Sequence, residues 1–347
     1  MTSPFRRGVN LSHWFAQVPA APRGNTSWDT YWVGDDDLDQ IAQAGFDHVR
    51  VPFDLASLTA ADPRGGRDSA VERVLTGVGR AMDRGLGVLV DAHPEEATKQ
   101  QLRDSDAAVD DFCSGWAAIA TGLAGLGPAS VRFEPLNEPS FWDPQRWQEV
   151  QGRLQDVIST SAAGTVVLSC GDGYSQIEEM VKLPGETVSG GVVAFHLYEP
   201  MAITHQGAHW SPDWLRDLRG VDYPLDRPIS SESARAFSPD QREQVAAVRD
   251  AGWSRAVYVD LIGRAVEWAS AAGVELACTE FGILRDHAMP GARVRWLRDL
   301  RDVFEDCEIG WTAWDYAGDF GLARTAAAPR MFDSELLSAL GLGGSRR

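Results

Sequence analysis

Two short runs in this chain put carboxylates where a buried strand should be ending: FEPLNEPS at Phe133–Ser140 and ACTEFG at Ala277–Gly282. Glu134 and Glu138 share parity along a strand, but four residues of strand separate them by about 13 Å, so both cannot serve one reaction centre. Pro135 removes a backbone donor and Pro139 restricts the residue before it. The strand should therefore deform near its end and present Asn137 and Glu138, leaving Glu134 as a structural ligand deeper in the fold. Glu138 and Glu280, coming from different strands, are what cleavage of a glycosidic bond needs: one carboxyl protonated to assist the leaving oxygen, the other ionised to attack the anomeric carbon. Arg50, inside HVRVPF, points the same way, because a buried guanidinium is costly unless a carboxylate meets it. Glu280 is its candidate partner. Arg50 would keep Glu280 ionised, and Glu138 would hold its proton through poorer solvation.

Other apolar runs also end in polar residues. Asp91 with His93, and His196 with Tyr198, lie two apart and so face one side of their strands; Trp314 closes a further run. The segments that would carry them are RGVNLS, DHVRVPFD, GVLVDAH, VRFEPLNE, TVVLSCGD, GVVAFHLYE, VELACTEFG and IGWTAWDY. Amphipathic stretches intervene: DDDLDQIAQAG, SAVERVLTGVGRAMDRG and RAVYVDLIGRAVEWASAAG each end in glycine, PQRWQEVQGRLQDVIST opens with Pro144 after Asp143, and YSQIEEMVKL is shorter. Alternating strands and helices in that number predict an α/β fold, a (β/α)8 TIM barrel in a single domain over 1–347, with catalytic groups at the carboxyl ends of its strands. The connection after the sixth strand, 199–253, is too long for an ordinary loop and is expected to overhang that end as a loop or subdomain. Its THQGAHW brings His205, Gln206 and Trp210 as candidate contacts to a ligand.

Composition narrows the classes. A formal net charge of −18 over 347 residues disfavours nucleic acid and anionic membrane surfaces as partners. No apolar run is long enough to span a bilayer, and no hydrophobic segment of the signal-peptide kind follows Arg6 and Arg7. As written the chain reads as cytoplasmic and monomeric; a mature secreted chain given an initial Met would read the same. Cys113, Cys170, Cys278 and Cys307 fall in no paired metal-ligand spacing and read as free thiols. A divalent-metal hydrolase built on Asp91, His93, His196 and Glu280 would leave Asn-Glu-Pro and Arg50 without a role, with a cation beside that arginine. A catalytically silent sugar-binding barrel should have lost a carboxylate or the arginine, and neither is missing.

Taken together, GVNLSHWF, HVRVPFD, VLVDAH, FEPLNEP, VAFHLYEP, ACTEFG and WTAWDYAGDFG resemble glycoside hydrolase family 5, the cellulase and mannanase family of retaining (β/α)8 glycosidases. The resemblance implies Glu138 as acid/base and Glu280 as nucleophile, with Asn137 bonding the sugar 2-hydroxyl. It makes Arg50 and Tyr198 the residues that orient and ionise the nucleophile, and puts His196 beside the acid/base. It gives His93 a contact to the reacting sugar and Trp314 the platform beneath it. Net retention through a covalent glycosyl-enzyme follows, with carboxyl groups about 5 to 5.5 Å apart and no metal or cofactor. Oligosaccharides, polysaccharides or other β-glycosides are the implied substrates: an endo-β-1,4-glucanase type of action, or exo action on small glucosides, mannosides or glycolipids. The Pro-Glu-Glu that follows His93 matches no subfamily signature. Trp14, Trp28, Trp32, Trp142 and Trp210 fall near the expected ligand face, where two or three of them should line a cleft.

Overall fold

The computed structural model describes residues 5–17, 32–61, 65–188, 190–225, 235–289, 291–325 and 329–343. Its strands are β1 (Arg7–Asn10), β2 (His48–Phe53), β3 (Gly87–Ala92), β4 (Val131–Glu134), β5 (Val166–Val167), β6 (Ser169–Cys170), β7 (Val192–Leu197), β8 (Glu275–Phe281) and β9 (Gly310–Ala313). They form one parallel sheet in the order β5-β4-β3-β2-β1-β9-β8-β7-β6. Its outer members β5 and β6 are two pieces of the fifth expected strand, separated by Leu168, whose N–H still reaches the Phe133 carbonyl at 2.8 Å. One broken strand thus bonds β4 with its first half and β7 with its second, and the sheet closes into a (β/α)8 barrel.

Strands covered on both faces read as continuous apolar runs, and HVRVPF, GVLVDA and VVAFHL are buried at every position. Between sheet and helices lie Trp116, Trp147, Trp296 and Trp311, each fully buried. Helix Asp35–Ala44 has three aspartates in its first turn, where the helix dipole favours them, and stops at Gly45 with φ 101°. Helix Pro144–Ser161 starts at Asp143, whose carboxylate accepts the Arg146 N–H at 3.1 Å. Helix Arg255–Ala272 stops at Gly273, while the stretch around YSQIEEMVKL gives one turn, Ile177–Met180. Two helices that sequence reading left out, Glu96–Asp104 and Asp106–Gly122, follow β3 directly.

The long connection after β7 is not a structureless loop. It contains helices Met201–Thr204, Asp213–Arg216 and Pro239–Asp250, the last opened by a capping box between Ser238 and Gln241. It is pinned to the barrel where Tyr258 Oη donates to the Glu199 carbonyl at 2.9 Å and Tyr223 Oη to Asp299 Oδ2 at 2.7 Å. Among the described residues no helix is long and apolar enough to cross a membrane.

Candidate active site

Arg50 sits on β2 with no exposed surface and organises the carboxyl end of the barrel. Its Nε and Nη2 donate to the two Glu134 oxygens at 2.8 and 3.1 Å, and Nη1 donates to Glu280 Oε1 at 2.6 Å and Asn10 Oδ1 at 2.9 Å. Nη2 also reaches Asn137 Oδ1 at 2.9 Å and Asp91 Oδ2 at 3.0 Å. Burial alone would favour loss of its proton, but Asp91, Glu134 and Glu280 outweigh that and hold it well above its ordinary range. Burial likewise pushes Glu134 up, and Arg50 and His196 overcome it to bring the carboxyl down to about 2. Glu134 is therefore the deep structural partner that strand spacing suggested, and the guanidinium serves three carboxylates where one was expected.

The second oxygen of Glu280 is held from the residue just past β7, where Tyr198 Oη donates to Oε2 at 2.8 Å. Burial in the presence of Glu280 and Glu138 keeps the Tyr198 hydroxyl well above its ordinary value, so it remains a donor. Glu138 is reached after β4 has stopped at Glu134, and its backbone turns into the left-handed region with φ 46°, where a residue other than glycine is strained. The two prolines do deform the strand end, and the deformation aims the Glu138 side chain at His196. Nδ1 of His196 lies 2.9 Å from Glu138 Oε1 and 3.6 Å from Glu280 Oε2. One oxygen of Glu138, one of Glu280 and a His196 nitrogen all fall within 4.8 Å of one another.

The protonation expected for Glu138 needs correction. Burial raises its carboxyl, as anticipated, but the hydrogen bond and charge of His196 prevail and bring it down to about 2. Burial pushes His196 down, and Glu280, Glu134 and Glu138 together raise it to about 10. Both shifts act in one direction, favouring carboxylate on Glu138 and imidazolium on His196. The family resemblance puts His196 beside Glu138, but the bias of the proton toward the histidine comes from Glu280 and Glu134, which meet it only across the barrel.

His93 has the opposite character. Its Nδ1 is 2.9 Å from Asp91 Oδ2, the same-face neighbour predicted for it, and burial brings it down to about 3, so it is neutral. With Nδ1–H donated to Asp91, Nε2 is an acceptor, met by Gln17 Nε2 at 3.0 Å and Asn137 Nδ2 at 3.1 Å. Asn137 is thereby fixed from both ends. The His93 ring lies nearly parallel to Trp314, 5.5 Å between centroids.

These groups open into a cleft of about 650 Å³ lined by His93, Glu138, Tyr198, Glu280 and Trp314. His205 and Trp210 of the long connection also line it, as proposed, with His205 edge-on to Tyr198. His209, from the same THQGAHW run, lines it too; sequence reading missed His13, Gln17, Glu95, Asp319 and Phe320 on the same walls. Gln17 was findable only through its contact with His93. Gln206 does not reach the cleft. It is buried, donates to the Ile203 and Val221 carbonyls and accepts from the Val221 N–H, which makes it a brace inside the connection.

Of the tryptophans, Trp14 is wholly buried against Phe15, and Trp32 stands edge-on to Trp14 with Arg80 over its ring, so both pack loops. Trp142 is 65% exposed and meets Tyr174 edge-on. Trp28 lies outside the described residues. Among the described members of those five, Trp210 is the one that lines the cleft. The four residues of the metal reading do not converge either. Among the described residues the one cluster of metal-type ligands is Glu138, His196 and Glu280, and in it the histidine is protonated and Glu280 already carries the Arg50 guanidinium.

A family model described as Cellulase (glycosyl hydrolase family 5) matches residues 16–319. Endoglucanase C of Acetivibrio thermocellus is 24% identical over 327 residues, 90% of this chain and 91% of that protein. Cellodextrinase A of Ruminococcus flavefaciens is 25% identical, covering 86% and 81%. Among solved structures, Cel5A of Thermotoga maritima, in complex with mannotriose, superposes with a TM-score of 0.77 at 22% identity over 97% of this chain and 98% of that one.

Proposed function

The chain belongs to glycosyl hydrolase family 5 and is a glycoside hydrolase of the cellulase-like kind; from that premise we propose that it cleaves β-glycosidic bonds with net retention, Glu280 as nucleophile and Glu138 as acid/base. The observation that carries this reading is separation. An oxygen of Glu138 and one of Glu280 lie within 4.8 Å, whereas an inverting pair stands about 6.5 to 9.5 Å apart to admit a water.

In the first step a Glu280 oxygen attacks the anomeric carbon, the bond to the leaving oxygen breaks, and Glu138 delivers a proton to that oxygen. The proton comes from His196 along the 2.9 Å hydrogen bond to Oε1. Arg50 and Tyr198 keep Glu280 ionised and aimed, one on each oxygen. In the second step water attacks the same carbon as the bond to Glu280 breaks, and Glu138, again a carboxylate, takes the water's proton and returns it to His196. Asn137, held by Arg50 and His93, is placed to bond the sugar 2-hydroxyl, with His93 beside the sugar and Trp314 beneath it.

For substrate, the relatives' names, endoglucanase and cellodextrinase, favour glucans and cellodextrins. The 199–253 connection, through His205 and Trp210, forms one wall of the binding site. A panel of soluble glucans, mannans, cello-oligosaccharides and aryl β-glycosides, with NMR of the first product, tests both parts. Initial release of the inverted anomer would sink the mechanism, and turnover of mannosides alone would sink the substrate reading. Glu280→Ala should abolish turnover, while Glu138→Ala should still glycosylate slowly from substrates with good leaving groups.

A further inference from the structure

The Pro-Glu-Glu run after His93 has no part in the chemistry above, yet the helix it opens grips the acid/base loop. Glu95 is the residue that precedes helix Glu96–Asp104. Glu96 and Lys99, three apart and so on one face of that helix, reach the two residues flanking Pro139. Ser140 Oγ donates to Glu96 Oε1 at 2.7 Å, and Lys99 Nζ donates to the Glu138 main-chain carbonyl at 2.9 Å. Lys99 is 7% exposed and Ser140 3%. An ammonium is rarely taken that far from water without a specific partner. Its partner here is the carbonyl of the one residue in the loop whose left-handed backbone aims the reactive carboxyl. Pro139 supplies no N–H of its own to secure this turn.

We propose that Lys99, braced by the Glu96–Ser140 hydrogen bond, is a positioning residue for Glu138: it locks the strained turn so that the carboxyl stays against His196 and beside Glu280. This rests on the reading of Glu138 as acid/base. A side chain clamped through its backbone carbonyl matters only where its position matters, which is in proton delivery to the leaving oxygen.

The test is kcat/KM for the wild type, Lys99→Met, Lys99→Arg and Glu138→Gln on aryl β-cellobiosides whose phenols run from strongly to weakly acidic. Lys99→Met should lose roughly 10- to 100-fold on the weakly acidic phenols and only about threefold or less on the most acidic ones, the range expected when a catalytic group is displaced by about 1 Å. Lys99→Arg, which keeps a cationic donor, should recover most of the loss. A merely structural lysine would lower all substrates by the same factor. A uniform loss, or none, overturns the proposal. If Lys99→Met does not fold, Ser140→Ala removes the brace and should show the same dependence on the phenol at smaller amplitude; its absence is equally fatal. Glu138→Gln is the control: if it shows no dependence on the phenol, the acid/base reading fails, independently of the clamp.

Discussion

Replacing His196 with glutamine removes the group proposed to set the protonation of Glu138, and the size of the effect can be worked from the wild-type site. His196 is held at about 10, against 6.5 for an ordinary histidine, because Glu280, Glu134 and Glu138 outweigh its burial. At about 1.4 kcal/mol per pH unit, the displacement corresponds to a ceiling on the order of 5 kcal/mol of stability. The folded form binds this proton more tightly than the unfolded form, so the contribution is complete below 6.5 and is lost as pH rises through about 10. Denaturant unfolding at a series of pH values should show wild type and His196→Gln far apart near neutrality and converging toward pH 10. In the variant, Glu138 faces Glu280 without an intervening cation and should take up the proton itself. The basic limb of kcat/KM should then fall from near 10 to below about 8. A constant stability gap from pH 6 to 10, or an unmoved basic limb, would refute the assignment of the proton to the Glu138–His196 pair.

Three further outcomes are expected. Arg50→Met strands Asp91, Glu134 and Glu280 in the interior, so it should cost at least about 3–5 kcal/mol at pH 7 by chemical denaturation. Because the stranded carboxyls would then bind protons more tightly when folded, that cost should shrink as pH is lowered toward 4. Gln206→Leu should destabilise by about 1–3 kcal/mol, since it orphans buried groups of Ile203 and Val221, while leaving KM for oligosaccharides unchanged. Trp210→Ala should raise KM for oligosaccharides by several-fold, the loss of about 1 kcal/mol of ring stacking, with little change in stability by thermal melting.

The readable parts of the site were those where a charged residue interrupts an apolar run. Arg50, Glu134 and Glu280 each break a strand pattern, and burying a charge is expensive enough that the anomaly itself is a signal. The strand number was legible for the related reason that parallel strands covered on both faces are nearly continuous hydrophobic runs. What could not be read depends on contacts across the barrel. Gln206 and His205 are adjacent and both polar, and nothing local says that one braces the main chain while the other faces the cleft. Asn10 ends β1 in a plain GVNLS, and its hold on Arg50 appears only when β1 lies beside β2. The Glu138–His196 proton is of the same kind: the family resemblance sets the two side by side, but the balance between them depends on Glu280 and Glu134 across the barrel.

Arg50 shows why so much conventional-looking structure stands behind the two reacting carboxyls. Its Nε and one face of Nη2 are taken by Glu134, the remainder of Nη2 by Asn137 and Asp91, and Nη1 by Asn10 and Glu280. Every N–H direction of the fork is occupied, so the guanidinium cannot rotate away from Glu280, and an ammonium in its place could not reproduce the arrangement. Glu134 thus contributes twice: it offsets the cost of the buried cation, and by holding the far side of the fork it fixes the near side on Glu280. The same holds in mirror form for Glu138, whose carboxyl is tuned from β7 by His196 and whose backbone is gripped from the helix after β3 by Lys99. Glu280 and Glu138 are each held from two separate elements, so their spacing is set by the barrel and not by the loop that carries Asn137 and Glu138.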